Sequence, residues 1–195
     1  MADKRLVRLD SHHAAQVMGE LAGRVGSLPR GMDLVVVRAL NRAVTASRDE
    51  SSKAIRIEYA VPARDVKNTM YVRKATRAYK VAILYALGRM SIPLIRWGAR
   101  QTKKAVTVLI RKGGGRKRVV SKDGQKLPGV FIAKGEVYAR QTTKRTPIRR
   151  LYGPSFLAYF GKPDVIAAQQ ARAVDVFNTR VIAEGNYLLS KELAV

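Results

Sequence analysis

The sequence has no cysteine. That absence removes disulfide frameworks, zinc knuckles and thiol nucleophiles together, and it fits a protein assembled inside a cell. Histidine is nearly absent too. His12 and His13 are adjacent, about 100° apart on a helix, so they do not share a face as an i, i+4 pair would. With no further His or Cys to complete a ligand set, they read as solvated rings beside a helix cap at Asp10 or Ser11, and no metal is expected. Long apolar runs are also missing. The start, MADKRLVRLDSHH, has no apolar core of signal-peptide length, and the stretch from Val81 to Ile95 is interrupted by Arg89 and contains Gly88 and Pro93, so neither a secretion signal nor a membrane span is expected. There is no internal repeat and no heptad array.

Acids are scarce as well: 14 Asp and Glu stand against 38 Lys and Arg, a formal charge of +24. The excess is local. Residues 96–150 hold 17 Lys and Arg against two acids, Asp123 and Glu136, while residues 151–195 are neutral. A charge concentrated in this way calls for a polyanionic counter-surface, by counterion release if that surface is nucleic acid. At 195 residues, 47% hydrophobic and 27% charged, the chain suits one domain with a real core.

The pattern along the chain predicts an α+β fold: N-terminal helices, a central antiparallel β-sheet with a basic Gly-rich hairpin, and a C-terminal helix. One domain over 1–195 is expected, made of an N-terminal helix or arm (1–30), a helical part (31–76), a basic β region (77–152) and a C-terminal helical part (153–195). A first helix fits residues 10–27. A stronger one runs from Met32 to Ala60, with Met32, Val36, Leu40, Ala43, Ser47, Ser51, Ala54 and Ile55 at helical spacing. Its apolar face is small, so whatever packs there must come close. Pro62 suits the first turn of a short helix carrying Val66 and Met70.

Tyr79 to Ala86 alternates as a strand does, although both faces are apolar enough for a helix of about three turns. Lys103 to Ile110 alternates again, followed by Arg111 to Arg118, RKGGGRKR, and then Val119 and Val120. This is a hairpin pattern whose tip is three glycines. Gly129–Ala133 and Glu136–Arg140, joined by Lys134 and Gly135, form a second hairpin, and Ile148 to Tyr152 adds a strand. Pro163 and Asp164 open the last helix, with Ile166, Ala173, Val174, Phe177, Val181 and Leu188 on one face, running to Lys191 unless Gly185 breaks it.

The chemistry-bearing motifs are few. KGGGRK lacks the GxxxxGK-Ser/Thr pattern and the strand-to-helix context of a phosphate loop. Asp49 and Glu50 lie beside Arg48 and Lys53 as on a solvated helix face, Asp123 is a turn residue, and Glu136 opens a strand. No catalytic constellation emerges, no enzyme activity is expected, and no cofactor is implied. Aromatics make up 7% of the chain. Tyr138 with Arg140 is the nearest approach to the interleaving that single-strand recognition wants, while Trp97 reads as a core plug.

The order of segments carries a further signal. An Ala-rich helix ALNRAVTASRDESSKA is followed by VPARDVKNTMYVRKAT and IPLIRWGARQTKKAV. A Lys/Arg/Gly-rich insertion comes next, then LPGVFIAKGEVYARQ and TPIRRLYGPSF. From about Val36 to Phe160 this order resembles the minor tail protein Z family of tailed bacteriophages, the tail completion proteins, with PLIRWGAR, PGVFIA and TPIRRLYGPS as the most specific parts.

The resemblance implies a structural protein of the virion at the head-proximal end of the tail. Several copies, about six, would form a ring that joins the tail tube and terminator to the head connector and borders the DNA channel. The partners implied are other copies of the chain, those neighbours, and packaged DNA held through its backbone; no membrane is implied. Lys103, Lys104, Arg111, Lys112, Arg116, Lys117, Arg118, Arg140, Lys144, Arg145, Arg149 and Arg150 are the expected contacts to DNA or an acidic partner. The alternative is a free basic nucleic-acid-binding protein of ribosomal or chromatin-associated type, which the same charge supports without any base-reading motif.

Overall fold

In the computed structural model, residues 4–9, 31–87, 91–120 and 129–192 are described. The helix expected over 10–27, both histidines and the Asp123 turn lie outside them. The α+β class holds, with long helices and small antiparallel sheets. The chain's contacts divide into two compact units, residues 1–3, 52–69 and 87–159 in one and residues 4–51, 70–86 and 160–195 in the other. Charge divides with them. The first unit carries 22 Lys and Arg against five acids and the second 16 against nine.

The second unit contains most of helix α1 (Gly31–Glu58), the strands β1 (Lys4–Leu9), β2 (Met70–Arg73) and β3 (Ala82–Leu87), and the last helix. Asp33 in the first turn of α1 favours the positive end of the helix dipole and pairs with Lys80. Ala39, Ala43, Ser47 and Ser51 are fully buried on this helix, as the small-residue face predicts. The Ser47 hydroxyl donates to the carbonyl of Gln169 at 3.2 Å, which fixes a close helix-to-helix approach.

The sheet has the order β1-β3-β2. Strand β1 was not legible in the sequence. Strand β3 begins at Ala82 rather than Tyr79, and Ala82, Leu84 and Ala86 are the inward set. Met70, expected on a helix, is the first residue of β2 and pairs with Ala86; Tyr71 stacks on its direct partner Tyr85, with centroids 5.6 Å apart. The loop between these strands is tied to α1 by Asn41, whose amide exchanges two hydrogen bonds with the backbone of Ala75 (3.1 and 2.7 Å).

The first unit holds the end of α1, helix α2 (Ala63–Asn68) with Pro62 as its N-cap and Val66 buried, and strands β4 to β11. These are β4 (Ser91–Pro93), β5 (Arg100–Gln101), β6 (Val106–Val108), β7 (Lys117–Arg118), β8 (Phe131–Ala133), β9 (Glu136–Arg140), β10 (Ile148–Arg150) and β11 (Tyr152–Ser155). They form three small antiparallel sheets, β5-β6-β7, β10-β9-β8 and β11-β4. Both expected hairpins are there. Lys134 and Gly135 take the left-handed conformation, φ 48° and 73°, that a two-residue primed turn requires. Trp97 is buried, as its core reading predicts, and its carbonyl accepts from the Leu109 amide at 3.0 Å.

Helix α3 (Phe156–Phe160) leads to α4 (Pro163–Glu192). Helix α4 continues through Gly185, which is buried and does not break it. Its inward row is Val165, Gln169, Ala173, Phe177 and Val181 at strict four-residue spacing. Ile166 and Val174 flank that row rather than sit in it.

Candidate polyanion interface

All twelve expected contact residues belong to the first unit, and all but Arg140 are exposed. They sit on two neighbouring sheets. Lys103 and Lys104 lie in the turn between β5 and β6, which Thr102 closes by accepting from the Ala105 amide and donating to its carbonyl. Arg111 to Arg118 form the β6–β7 tip, all of them exposed. On the other sheet, Lys144 and Arg145 lie in the exposed loop joining β9 to β10, and Arg149 and Arg150 are on β10. The two sheets meet where the Gln101 side chain of β5 accepts from the Ile132 amide of β8 at 3.1 Å.

The tip is held at its base. The Ala60 amide donates to Ile110, the Lys112 amide donates to Glu58, both at 2.9 Å, and Tyr59 bridges to Arg111. Across the hairpin Thr107 faces Arg118 and Val108 faces Lys117. Strand alternation therefore sends Arg118 and Lys117 to opposite faces. Arg100 opposes Thr107 from the other side, so Arg100, Thr107 and Arg118 make one outward row. The sequence reading did not single out Arg100; its exposed place in an alternating pair was the available signal.

Four of the twelve have occupied guanidinium groups, Arg140 among them, which donates to the Lys144 carbonyl at 3.5 Å. Arg116 donates to the carbonyls of Gly98 and Thr107 and to the Thr107 hydroxyl, so it staples the hairpin. Arg111 lies over the Tyr59 ring at 5.9 Å and pairs with Glu58 at 3.2 Å. The hydrogen bond with Tyr59, followed by the charges of Tyr59 and Glu58, raises its affinity for its proton, so its charge persists at any ordinary pH. Arg150 pairs with Glu136 and lies over Tyr152 at 5.3 Å.

The acids of this unit are already committed. Among the described residues they are Glu58, Asp65 and Glu136, and each meets an arginine: Arg111, Arg96 and Arg150. The other exposed members of the twelve, Lys103, Lys104, Lys112, Lys117, Arg118, Lys144, Arg145 and Arg149, have no counter-charge of this unit among the described residues.

The aromatic rings near the site are largely engaged with their neighbours. Phe131 stacks on Tyr138 with centroids 6.0 Å apart, and Arg140 covers Phe131 at 5.6 Å. That leaves little ring face for an unpaired base. Among the described residues no group of three His, Cys, Asp or Glu side chains could hold a metal ion, and no helix is long and apolar enough to cross a membrane.

No protein-family description, curated protein or solved structure matches this chain.

Proposed function

We propose that the chain is a structural protein of a phage virion, located at the top of the tail, where about six copies form a ring that completes the tail and joins it to the head connector. In this reading it works by shape and charge and carries out no catalysis. The basic face of the first unit turns toward packaged DNA or an acidic neighbouring chain. The other unit, built on two long helices with a small-residue face, supplies rigid body for contacts between copies.

The observation that carries this reading is the uncompensated field of the first unit. Its exposed cations lie on fixed β-hairpins, and its described acids are already paired. Such a surface repels itself and gains free energy only when something acidic covers it. The order of segments from Val36 to Phe160, similar to that of the tail completion family, supports the particle setting.

The test is peptide mass spectrometry on purified phage particles, combined with a Lys112→Glu, Lys117→Glu, Arg118→Glu variant that leaves the Arg116 staple in place. The chain should be found in a few copies per particle, and the variant should fold yet yield far fewer infectious particles. A chain missing from particles, which as a free protein binds RNA or duplex DNA in a salt-sensitive manner, would instead establish the free nucleic-acid-binding protein.

A further inference from the structure

Beneath the glycine tip of the β6–β7 hairpin lies a cavity of about 240 Å³ lined by Val108, Ile110, Arg111, Gly114, Gly115 and Lys117. Arg111 and Lys117 are exposed, so their methylene stems line the wall while the Arg111 guanidinium meets Glu58 and the Lys117 ammonium stays in water. The remaining wall is aliphatic side chain and glycine backbone. It is a preformed feature. The hydrogen bonds of Ile110 and Lys112 to Ala60 and Glu58 hold one side, the Val108–Lys117 pairing holds the other, and a Gly114 amide bond to the Arg111 carbonyl at 3.2 Å closes the turn. Gly115 completes it at φ 64°, a conformation that favours glycine.

Phosphate gains nothing from an apolar wall. An inserted nucleobase would want an aromatic face, and among the described residues none that lines the cavity is aromatic. The volume falls below the roughly 300–1,000 Å³ usual for small-molecule sites. A branched or flexible aliphatic side chain can enter a pocket of this size and lining. The surroundings choose what flanks it: Arg111, Lys112, Arg116, Lys117 and Arg118 crowd the tip, and no acid occurs from 111 to 120.

We infer that the hairpin tip is a socket for an acidic protein segment that seats one aliphatic side chain between the Arg111 and Lys117 stems. This rests on the reading of the basic face as an interface, and it selects an acidic protein rather than DNA as what the tip itself meets. The cations provide attraction and approach rate; the socket provides discrimination among acidic partners.

The test uses the full chain and two short labelled peptides of alternating Glu and Asp, one with a central Leu and one with Ser, followed by fluorescence anisotropy. Burial of the leucine side chain should make the Leu peptide bind at least about 10-fold more tightly. A Gly114→Leu variant should close the socket and bring that ratio towards one while the Ser peptide binds as before. Gly114 has no positive φ, and an added Cβ would meet the Arg111 Cβ at an ordinary 3.5 Å. Equal binding of the two peptides to the unaltered chain overturns the inference, and that comparison needs no variant to fold. Short duplex DNA that outcompetes the Leu peptide at equal ionic strength overturns it as well. Neither result touches the presence of the chain in particles, and absence from particles would leave the peptide ratio standing.

Discussion

The indole of Trp97 lies so close to Gly153 that a Cβ added to the glycine would overlap the indole nitrogen. Trp97 is buried, as are Ile92 and Leu94 of the same segment, and Gly153 is on β11, which pairs with β4. The glycine of the YGPS segment is therefore a packing requirement of this unit. Gly153→Ala should cost about 1–3 kcal/mol, the usual penalty for overfilling a packed site. Adding Trp97→Phe should recover part of that loss because the smaller ring leaves room. Urea unfolding of the two single variants and the double variant measures the coupling; simple additivity would show that the two residues do not compete for the same space.

The Asn41 amide stands in for a strand edge by bonding both backbone groups of Ala75. Asn41→Ala removes both bonds, and a loss of about 1–3 kcal/mol is expected for the half-buried groups left behind. Amide exchange at Ala75 should accelerate before that of β3.

Helix α1 was legible because twenty-eight residues of Ala- and Ser-rich amphipathic pattern have no competing reading. The Lys134-Gly135 hairpin was legible because its turn chemistry admits little else. In α4 the length came through but the buried row did not. Gln169 is polar and fully buried, so a search for apolar spacing starts the row at Ile166 instead of Val165. Gly185 is tolerated because it sits on the packed face, where tertiary contact offsets its poor helix propensity. The division of the strands into small sheets depends on pairings such as Tyr152 with Pro93, far apart in sequence and invisible to local patterns. At the site, charge density was legible while the role of each cation was not. Arg116 looks like its neighbours in RKGGGRKR, and the carbonyls that engage it come from Gly98 and Thr107.

Ser47 sits where α1 meets α4, with its hydroxyl on the Gln169 carbonyl. Ser47→Ala should be mild, about 0.5–1.5 kcal/mol for one lost hydrogen bond. Ser47→Leu should cost more, because the side chain is fully buried and the added volume must move a helix. Comparable midpoints for the two variants in thermal unfolding would contradict the close approach.

Arg116 and its lysine neighbours should separate by readout. Arg116→Lys keeps the charge but loses the fork that spans two carbonyls, so the Val119 amide, bonded to Val106 across the hairpin, should exchange faster. Lys112→Ala should leave that exchange unchanged. In binding to duplex DNA, each of Lys112, Lys117 and Arg118 that neutralises a phosphate should, when replaced by Ala, lower the salt slope by about 0.9. Titration of affinity against salt concentration measures it.

If the chain sits at the top of the tail as proposed, the exposed cations of the first unit are covered in the assembled particle. Lysine acylation of intact phage particles, compared with the free protein and read by mass spectrometry, tests it directly. Lys112, Lys117 and Lys144 should be protected in particles and labelled freely in solution. Equal labelling of all three in both states would show that nothing covers them.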